Sequence, residues 1–128
     1  MEALPQRTND VSQVVVDAAF AVHSELGAGL LQGVYEICLA REIAERGLDV
    51  SRQVTLPIFY RGMRLDAALR MDLVVGHNVI VEVKSIETLA PVHTAQMLTY
   101  LRLSGMRLGL LINFNVPRIK DGIKRIIL

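Results

Sequence analysis

The chain has 128 residues, of which 52% are hydrophobic and 21% are charged. This length and composition suit a folded chain rather than a disordered one, and we predict a single domain over residues 1–128. The net charge of +1 excludes a strongly basic coat protein for nucleic acid, and the one cysteine excludes a disulfide framework. No apolar run reaches the roughly 18 residues of a membrane span, and no signal-peptide pattern is present, so we expect a soluble cytoplasmic protein with no membrane partner.

The chain begins with two predicted helices. Asn9 and Asp10 are good N-cap residues, and apolar residues at helical spacing predict a first helix over about residues 10–26. Glycines within residues 27–29 interrupt this pattern, and a second amphipathic helix is predicted from Val34 to about Gly47. The two helices form a helical hairpin.

Strands follow the helical hairpin. Alternating apolar residues predict strands over 54–60, 65–75 and 79–86, with turns at Arg61-Gly62 and Gly76-His77-Asn78. These three segments form an antiparallel meander.

One more helix and two strands complete the predicted order. Pro91 suits the first turn of a helix that continues to Gly105. The apolar run Leu108–Ile112 is typical of a buried strand, and Gly122–Leu128 is a candidate last strand. We predict an α/β or α+β domain with a central mixed sheet flanked by helices.

Charged residues in the third strand point to a site, because charges are costly inside a sheet. Alternation puts Glu82 and Lys84 on one face. If residues 76–78 form the loop, Asp72 faces Glu82, and opposed like charges destabilise a sheet unless a cation lies between them or one is protonated. A two-residue loop would send Asp72 to the other face.

Two opposed carboxylates suit Mg²⁺ or Mn²⁺, and such an ion beside Lys84 suits hydrolysis of a phosphodiester bond. The alternative is an ordinary ion pair between Glu82 and Lys84 on a solvated face. Two basic groups are candidates for phosphate contacts or, alternatively, are solvated surface charge. They are Arg61, Arg64 and Arg70, and Arg118, Lys120, Lys124 and Arg125.

Asp72 and Glu82-Val83-Lys84, followed by a helix and a strand, resemble the core of the PD-(D/E)XK nuclease superfamily. The segments 22–31, 34–36 and 110–114 resemble the GxxExxY family of small bacterial proteins, a branch of that superfamily. The resemblance covers nearly the whole chain. It implies a restriction-endonuclease-like core with a central mixed sheet flanked by helices.

The resemblance also implies roles for site residues. Asp72 and Glu82 take the metal-ligand positions, together with the backbone carbonyl of Val83, and Lys84 takes the position of the catalytic lysine. Gln96 and Tyr100 are similar to the QxxxY motif of RecB-like and lambda-exonuclease-like members, and their spacing puts them on one helix face. They are candidates for supporting the substrate or, alternatively, a polar rim on a core-packed helix.

The chain departs from the family motif at Gln32, where the family has Glu, and an amide is a weaker, uncharged ligand. Glu36, one turn later on the same helix face, is the other candidate ligand or, alternatively, an ordinary residue of an exposed helix. His23, near the end of the first helix, and His93, near the start of the third, are candidates for contacts near the site. The alternative for His23 is a capping or packed histidine.

These observations predict a Mg²⁺- or Mn²⁺-dependent nuclease that acts on DNA, with a homodimer as a plausible arrangement. The alternative is a catalytically inactive nuclease fold that binds nucleic acid or another protein, in which Gln32 marks the loss of a working metal site.

Overall fold

A computed structural model describes residues 3–128, with the exception of the side chains of Ala67 and Ala68. Three helices and five strands make up most of the fold. In chain order they are α1 (Gln6–Leu26), α2 (Gln32–Glu45), β1 (Val50–Tyr60), β2 (Met63–Val75), β3 (Val79–Lys84), α3 (Pro91–Ser104), β4 (Leu108–Asn113) and β5 (Ile123–Ile127), with a 3₁₀ turn at Ile119–Gly122.

The five strands form one mixed sheet in the order β1-β2-β3-β4-β5. The first three strands are an antiparallel meander, and β5 pairs antiparallel with β4. Strands β3 and β4 are parallel because α3 carries the chain back across the sheet between them. This architecture confirms the predicted mixed sheet flanked by helices.

Helices cover both faces of the sheet. Val81 and Val83 of β3 belong to the core that the sheet forms with α1 and α2. Ile80 and its neighbour Val74 belong to a second core, which the sheet forms with α3. Because neighbouring side chains of a strand point to opposite faces, Glu82 lies on the α3 side of the sheet.

The hairpin between β2 and β3 has the predicted register. Its Cα partners are Leu73 with Val81, Val74 with Ile80, and Val75 with Val79. The three-residue loop contains His77 in the left-handed region, with φ of 62°. The odd-length loop therefore brings Asp72 and Glu82 to the same face, as the sequence predicts.

The first helix begins earlier than predicted. It starts at Gln6, and the carbonyl of Pro5 accepts the N–H groups of Thr8 and Asn9 at 3.0 and 3.2 Å. The predicted N-caps Asn9 and Asp10 are therefore wrong, because both residues lie inside the helix. The φ of Pro5, −57°, suits the residue that precedes a helix, and Pro5 supplies no side-chain cap.

Two details near the C-terminal half also differ. Strand β3 ends at Lys84 and not at Ile86, because the side chain of Asn113 binds the backbone of Ile86 at both its N–H (3.1 Å) and its carbonyl (2.9 Å). The 3₁₀ turn before β5 was not predicted.

No helix within residues 3–128 is long and apolar enough to cross a membrane.

Gly122 is predicted to be intolerant of any side chain. A Cβ atom at this position would lie 2.1 Å from the backbone carbonyl oxygen of Asn113, which cannot move without disturbing the end of β4. We expect Gly122→Ala to lower the free energy of unfolding by about 1–3 kcal/mol or more, measured by urea denaturation. The matched control is Gly33→Ala, since a Cβ there meets no atom within 4 Å and Gly33 lies in α2. That variant should be as stable as the parent or more stable by up to about 1 kcal/mol, and equal losses in both variants would contradict the prediction.

Candidate active site

Strands β2 and β3 separate at Asp72 and Glu82. The last backbone partners in the ladder are Leu73 and Val81. Beyond this pair, the N–H of Asp72 donates to Oε2 of Glu82 at 2.7 Å, and the N–H of Val83 donates to Oδ2 of Asp72 at 2.9 Å. Each carboxylate thus takes the place of a carbonyl on the opposite strand. We call this reciprocal pair of hydrogen bonds the carboxylate clasp.

Both carboxyl groups of the clasp are buried. Asp72 is 9% exposed and Glu82 is 4% exposed. Burial raises the pKa of both groups, and the charge of Asp72 adds to the effect at Glu82, whose pKa rises from 4.5 to about 8. Backbone hydrogen bonds act in the opposite direction at both groups. The burial of Glu82 contradicts the alternative of an ion pair on a solvated face.

Lys84 lies beside an open cavity of about 550 Å³ on the α3 side. His93, Gln96 and Thr99 of α3 line the same cavity. The ring Nδ1 of His93 accepts the N–H of Ala90 at 2.9 Å, which holds the imidazole at the start of the helix. The structure therefore brings together Lys84 and two of the predicted substrate-supporting residues, His93 and Gln96.

Tyr100 approaches the clasp from α3. Its side chain is buried, and its pKa rises to about 12, first because of burial and then because of the charges of Glu82 and Asp72. The phenol therefore stays protonated and keeps its O–H as a donor next to the carboxylates. Of the predicted pair, Tyr100 is near the clasp and Gln96 lines the cavity.

Glu36 of α2 joins the site through β1. It is 4% exposed, and its carboxylate accepts hydrogen bonds from the amide of Gln53 at 2.8 and 3.0 Å and from the guanidinium of Arg52 at 3.0 Å. The prediction of Glu36 as a residue of an exposed helix is therefore wrong. Its negative charge also contributes to the raised pKa of both Asp72 and Glu82.

Gln53 is a site residue that sequence reasoning missed. It lies opposite Asp72 in the register and its amide donates to Oδ1 of that residue at 3.5 Å. Its φ of 53° is in the left-handed region, a conformation that costs about 1–3 kcal/mol for a residue other than glycine. With this backbone conformation the amide of Gln53 reaches both Glu36 and Asp72. No pattern in the sequence around Gln53 predicts this conformation.

Two predicted residues are not brought to the clasp. Gln32 is the exposed first residue of α2, and its side chain makes no hydrogen bond with any residue that the structure describes. His23 donates from Nε2 to the carbonyl of Val116 at 2.8 Å, and its ring lies near that of Phe114. This position agrees with the alternative of a packed histidine.

Several residues of the segments 22–31, 34–36 and 110–114 hold the loops around the site. The hydroxyl of Tyr35 donates to the carbonyl of Gly27 at 2.5 Å, and its ring stacks on Phe114 with centroids 4.6 Å apart. Asn113 fixes the backbone of Ile86, two residues after Lys84. The Asn113 contacts hold the segment that carries the chain from β3 to α3, and the Tyr35 contacts hold the loop between α1 and α2.

The donor set of the clasp suits a hard divalent cation. Oε1 of Glu82 accepts no hydrogen bond from the part of the chain that the structure describes, and Asp72 and Glu82 are buried together with their charges poorly compensated. Within residues 3–128, no three His, Cys, Asp or Glu side chains form a metal cluster. Two carboxylates are nevertheless enough for Mg²⁺, since waters and substrate phosphates complete its coordination. The residues therefore fit Mg²⁺ or Mn²⁺.

Comparison with known proteins gives one match. A family model described as the PD-(D/E)XK nuclease superfamily matches residues 9–126, which is most of the chain and includes every residue of the clasp. No curated protein and no solved structure gives a significant match.

Protonation of the clasp should make stability depend on pH. The folded state raises the pKa of Glu82 from 4.5 to about 8, so its stabilising contribution is complete below pH 4.5 and is lost as the pH rises towards about 8. In EDTA we expect the free energy of unfolding to fall by a few kcal/mol, as an order of magnitude, between about pH 5 and about pH 8. Urea denaturation at a series of pH values measures this.

The control for this pH dependence is a pair of variants. Glu82→Gln should flatten the decline, whereas Glu87→Gln, an exposed residue in the following loop, should keep it. An unchanged decline in Glu82→Gln would show that other groups cause it.

Proposed function

The chain belongs to the PD-(D/E)XK nuclease superfamily, and from this premise we propose that it is a divalent-metal-dependent nuclease that hydrolyses phosphodiester bonds in DNA. The observation that carries the proposal is the carboxylate clasp, which puts two buried acids on the same face of the sheet as Lys84, whose side chain lines the cavity at α3. Neutral packing alone gives no reason to bury two facing carboxylates.

The clasp residues would hold the metal. Asp72 and Glu82 supply carboxylate oxygens, and the carbonyl of Val83 is the further donor that the family pattern implies. A bound Mg²⁺ or Mn²⁺ would neutralise charge on the phosphate and lower the pKa of the attacking water. The hydrogen bonds from the two backbone N–H groups keep one oxygen of each carboxylate in place. The second oxygen of Glu82 is left for a ligand, and that of Asp72 has, within the described residues, only the long 3.5 Å contact with the amide of Gln53.

Lys84 would act on the phosphate. It lies at the end of β3, and its ammonium group can stabilise the negative charge that develops on the phosphate, or hold the attacking water by hydrogen bonds. Its partly buried position beside the cavity keeps that charge from being fully screened by solvent.

The α3 residues would support the substrate. Gln96 and His93 offer polar groups to a nucleic-acid strand in the cavity, while Tyr100 keeps a protonated O–H within the field of the two carboxylates. Glu36 is held by Arg52 and Gln53, so we assign it to positioning Asp72 through Gln53 and not to direct metal binding. Gln32 has no part in this arrangement.

Four predictions stand beside this proposal. They are membership of the GxxExxY branch, a single domain over residues 1–128, a cytoplasmic location and a homodimer that presents one site to each DNA strand.

Binding of a divalent cation should stabilise the native protein. At about pH 8, a metal concentration one hundred times the Kd should add about 2.7 kcal/mol to the free energy of unfolding, because the ion binds the folded state alone. We expect Mn²⁺ or Mg²⁺ to raise the melting temperature of the parent protein and to release a proton from the clasp, measured in a weakly buffered solution.

The variants Asp72→Asn and Glu82→Gln should lose both the metal-induced rise and the proton release. Asp121→Asn, which changes an exposed acid paired with Arg118, should keep them. A rise of the same size in Glu82→Gln would place the metal elsewhere.

Cleavage of labelled single- and double-stranded DNA in Mn²⁺ tests the activity itself. Glu82→Ala and Lys84→Ala should each lower the rate by about a hundredfold or more, because they remove a metal ligand and the charge at the phosphate. The control is Arg41→Ala, which removes an exposed positive charge of α2 and should cut at the parent rate.

Equal cutting by all four proteins would indicate a contaminating nuclease. If none of them cuts, although the parent protein binds metal and DNA, the inactive nuclease fold becomes the better description.

A further inference from the structure

The hairpin of β1 and β2 extends well beyond the rest of the sheet. Pairing of β2 with β3 ends at Leu73 and Val81, whereas pairing of β2 with β1 continues to Tyr60 and Met63. The register shifts after Leu56, the last residue of β1 in the α3 core. We call the segment beyond this shift, residues 58–65, the β1–β2 arm.

The arm is exposed along almost its whole length. Every residue from Phe59 to Leu65 is exposed, including Phe59 at 61% and Tyr60 at 59%. Two large aromatic rings and the apolar Met63 on a protruding hairpin are costly to leave in water. The arm therefore has the character of a contact surface.

Arginines lie over the aromatic rings of the arm. The guanidinium of Arg61 is 5.6 Å from the ring centroid of Tyr60, and that of Arg64 is 5.7 Å from the ring centroid of Phe59. Asp66, just beyond the arm, pairs with Arg64, but both side chains are more than half exposed and such pairs are weak. A phosphate can therefore replace Asp66 as the partner of Arg64.

The arm continues β1 and β2 past the clasp, beyond the point where pairing with β3 ends. Strand β2 runs from Met63 in the arm to Asp72 in the clasp, which are nine residues apart. At about 3.3 Å per residue, the tip lies up to about 30 Å from the clasp. This is close to the length of nine base pairs at about 3.4 Å each. One duplex can thus reach both the arm and the clasp.

We propose that the β1–β2 arm binds duplex DNA, with Arg61 and Arg64 on backbone phosphates and the rings of Phe59 and Tyr60 against the groove wall. This inference rests on the proposed nuclease function, to which it adds a contact surface remote from the clasp and a preference for the duplex form of DNA. A two-stranded ribbon fits the major groove of B-DNA, about 12 Å wide, whereas the deep and narrow major groove of duplex RNA does not admit it. Aromatic residues, Met and Arg are also enriched in protein interfaces, so a protein partner is the competing outcome of the test.

Fluorescence anisotropy with a labelled DNA duplex of about 30 base pairs tests the proposal. The test variant is Arg61→Ala/Arg64→Ala, and the measurement is made in EDTA at several salt concentrations so that no cleavage occurs. The matched control is Arg41→Ala/Arg46→Ala, which removes the same charge and two surface ion pairs from α2.

We expect the arm variant to bind the duplex at least about tenfold more weakly, with a salt slope smaller by about two. The control variant should bind with parent affinity. The variant Arg61→Lys/Arg64→Lys keeps the charge and should recover most of the salt slope. A duplex RNA of the same sequence should bind the parent protein more weakly than the DNA and lose little in the arm variant.

Three results would overturn the inference. They are parent affinity in the arm variant, equal losses in the arm and control variants, and equal losses for DNA and RNA. Loss of a homodimer in the arm variant, with DNA affinity per protomer unchanged, would also overturn it, in favour of self-association. Circular dichroism of each variant shows that it is folded.

Cleavage in Mn²⁺ separates this inference from the proposed function. If the parent protein does not cut the duplex but the arm variant binds it more weakly, the arm inference stands and the nuclease proposal fails. If the parent protein cuts the duplex and the arm variant cuts it equally well at low DNA concentration, the nuclease proposal stands and the arm inference fails.

Discussion

The carboxylate clasp is the constraint on which the site depends. Where β2 and β3 part, the ladder would leave the N–H groups of Asp72 and Val83 without partners inside the protein, and an unpaired buried N–H is costly. The side chains of Glu82 and Asp72 satisfy them across the gap. The same hydrogen bonds that close the sheet therefore hold two acids together, and the separation of the strands creates the site.

Holding two acids together changes their protonation. Burial raises the pKa of both acids, and the charge of Asp72 raises that of Glu82 further, so that without a cation the clasp keeps a proton near neutral pH. Glu36 adds a third buried carboxylate, and its own charge is matched by Arg52. The remaining negative charge is thus concentrated at the clasp. This is the electrostatic setting in which a divalent cation replaces a proton with a gain in stability.

Other parts of the fold hold the residues around the clasp in place. Tyr35 holds the loop after α1 and Asn113 holds the segment after Lys84 by hydrogen bonds, and α3 covers the clasp side of the sheet with the buried side chain of Tyr100. The β1–β2 hairpin supplies Gln53 to the clasp at one end and carries the exposed arm at the other. A single long hairpin thereby connects the chemistry of the site to the surface that we assign to DNA.

The sequence by itself determined the order of helices and strands, because hydrophobic periodicity is a local property. It also reduced the register of the clasp to one question, since a strand period of two puts Asp72 and Glu82 on one face with a three-residue loop and on opposite faces with a two-residue loop. The structure has the three-residue loop. Only the tertiary structure decided that Glu36 is buried and that Gln53 takes a left-handed backbone to reach it. These two residues are 17 positions apart in the chain, and their contact depends on how α2 packs against β1, which no local pattern encodes.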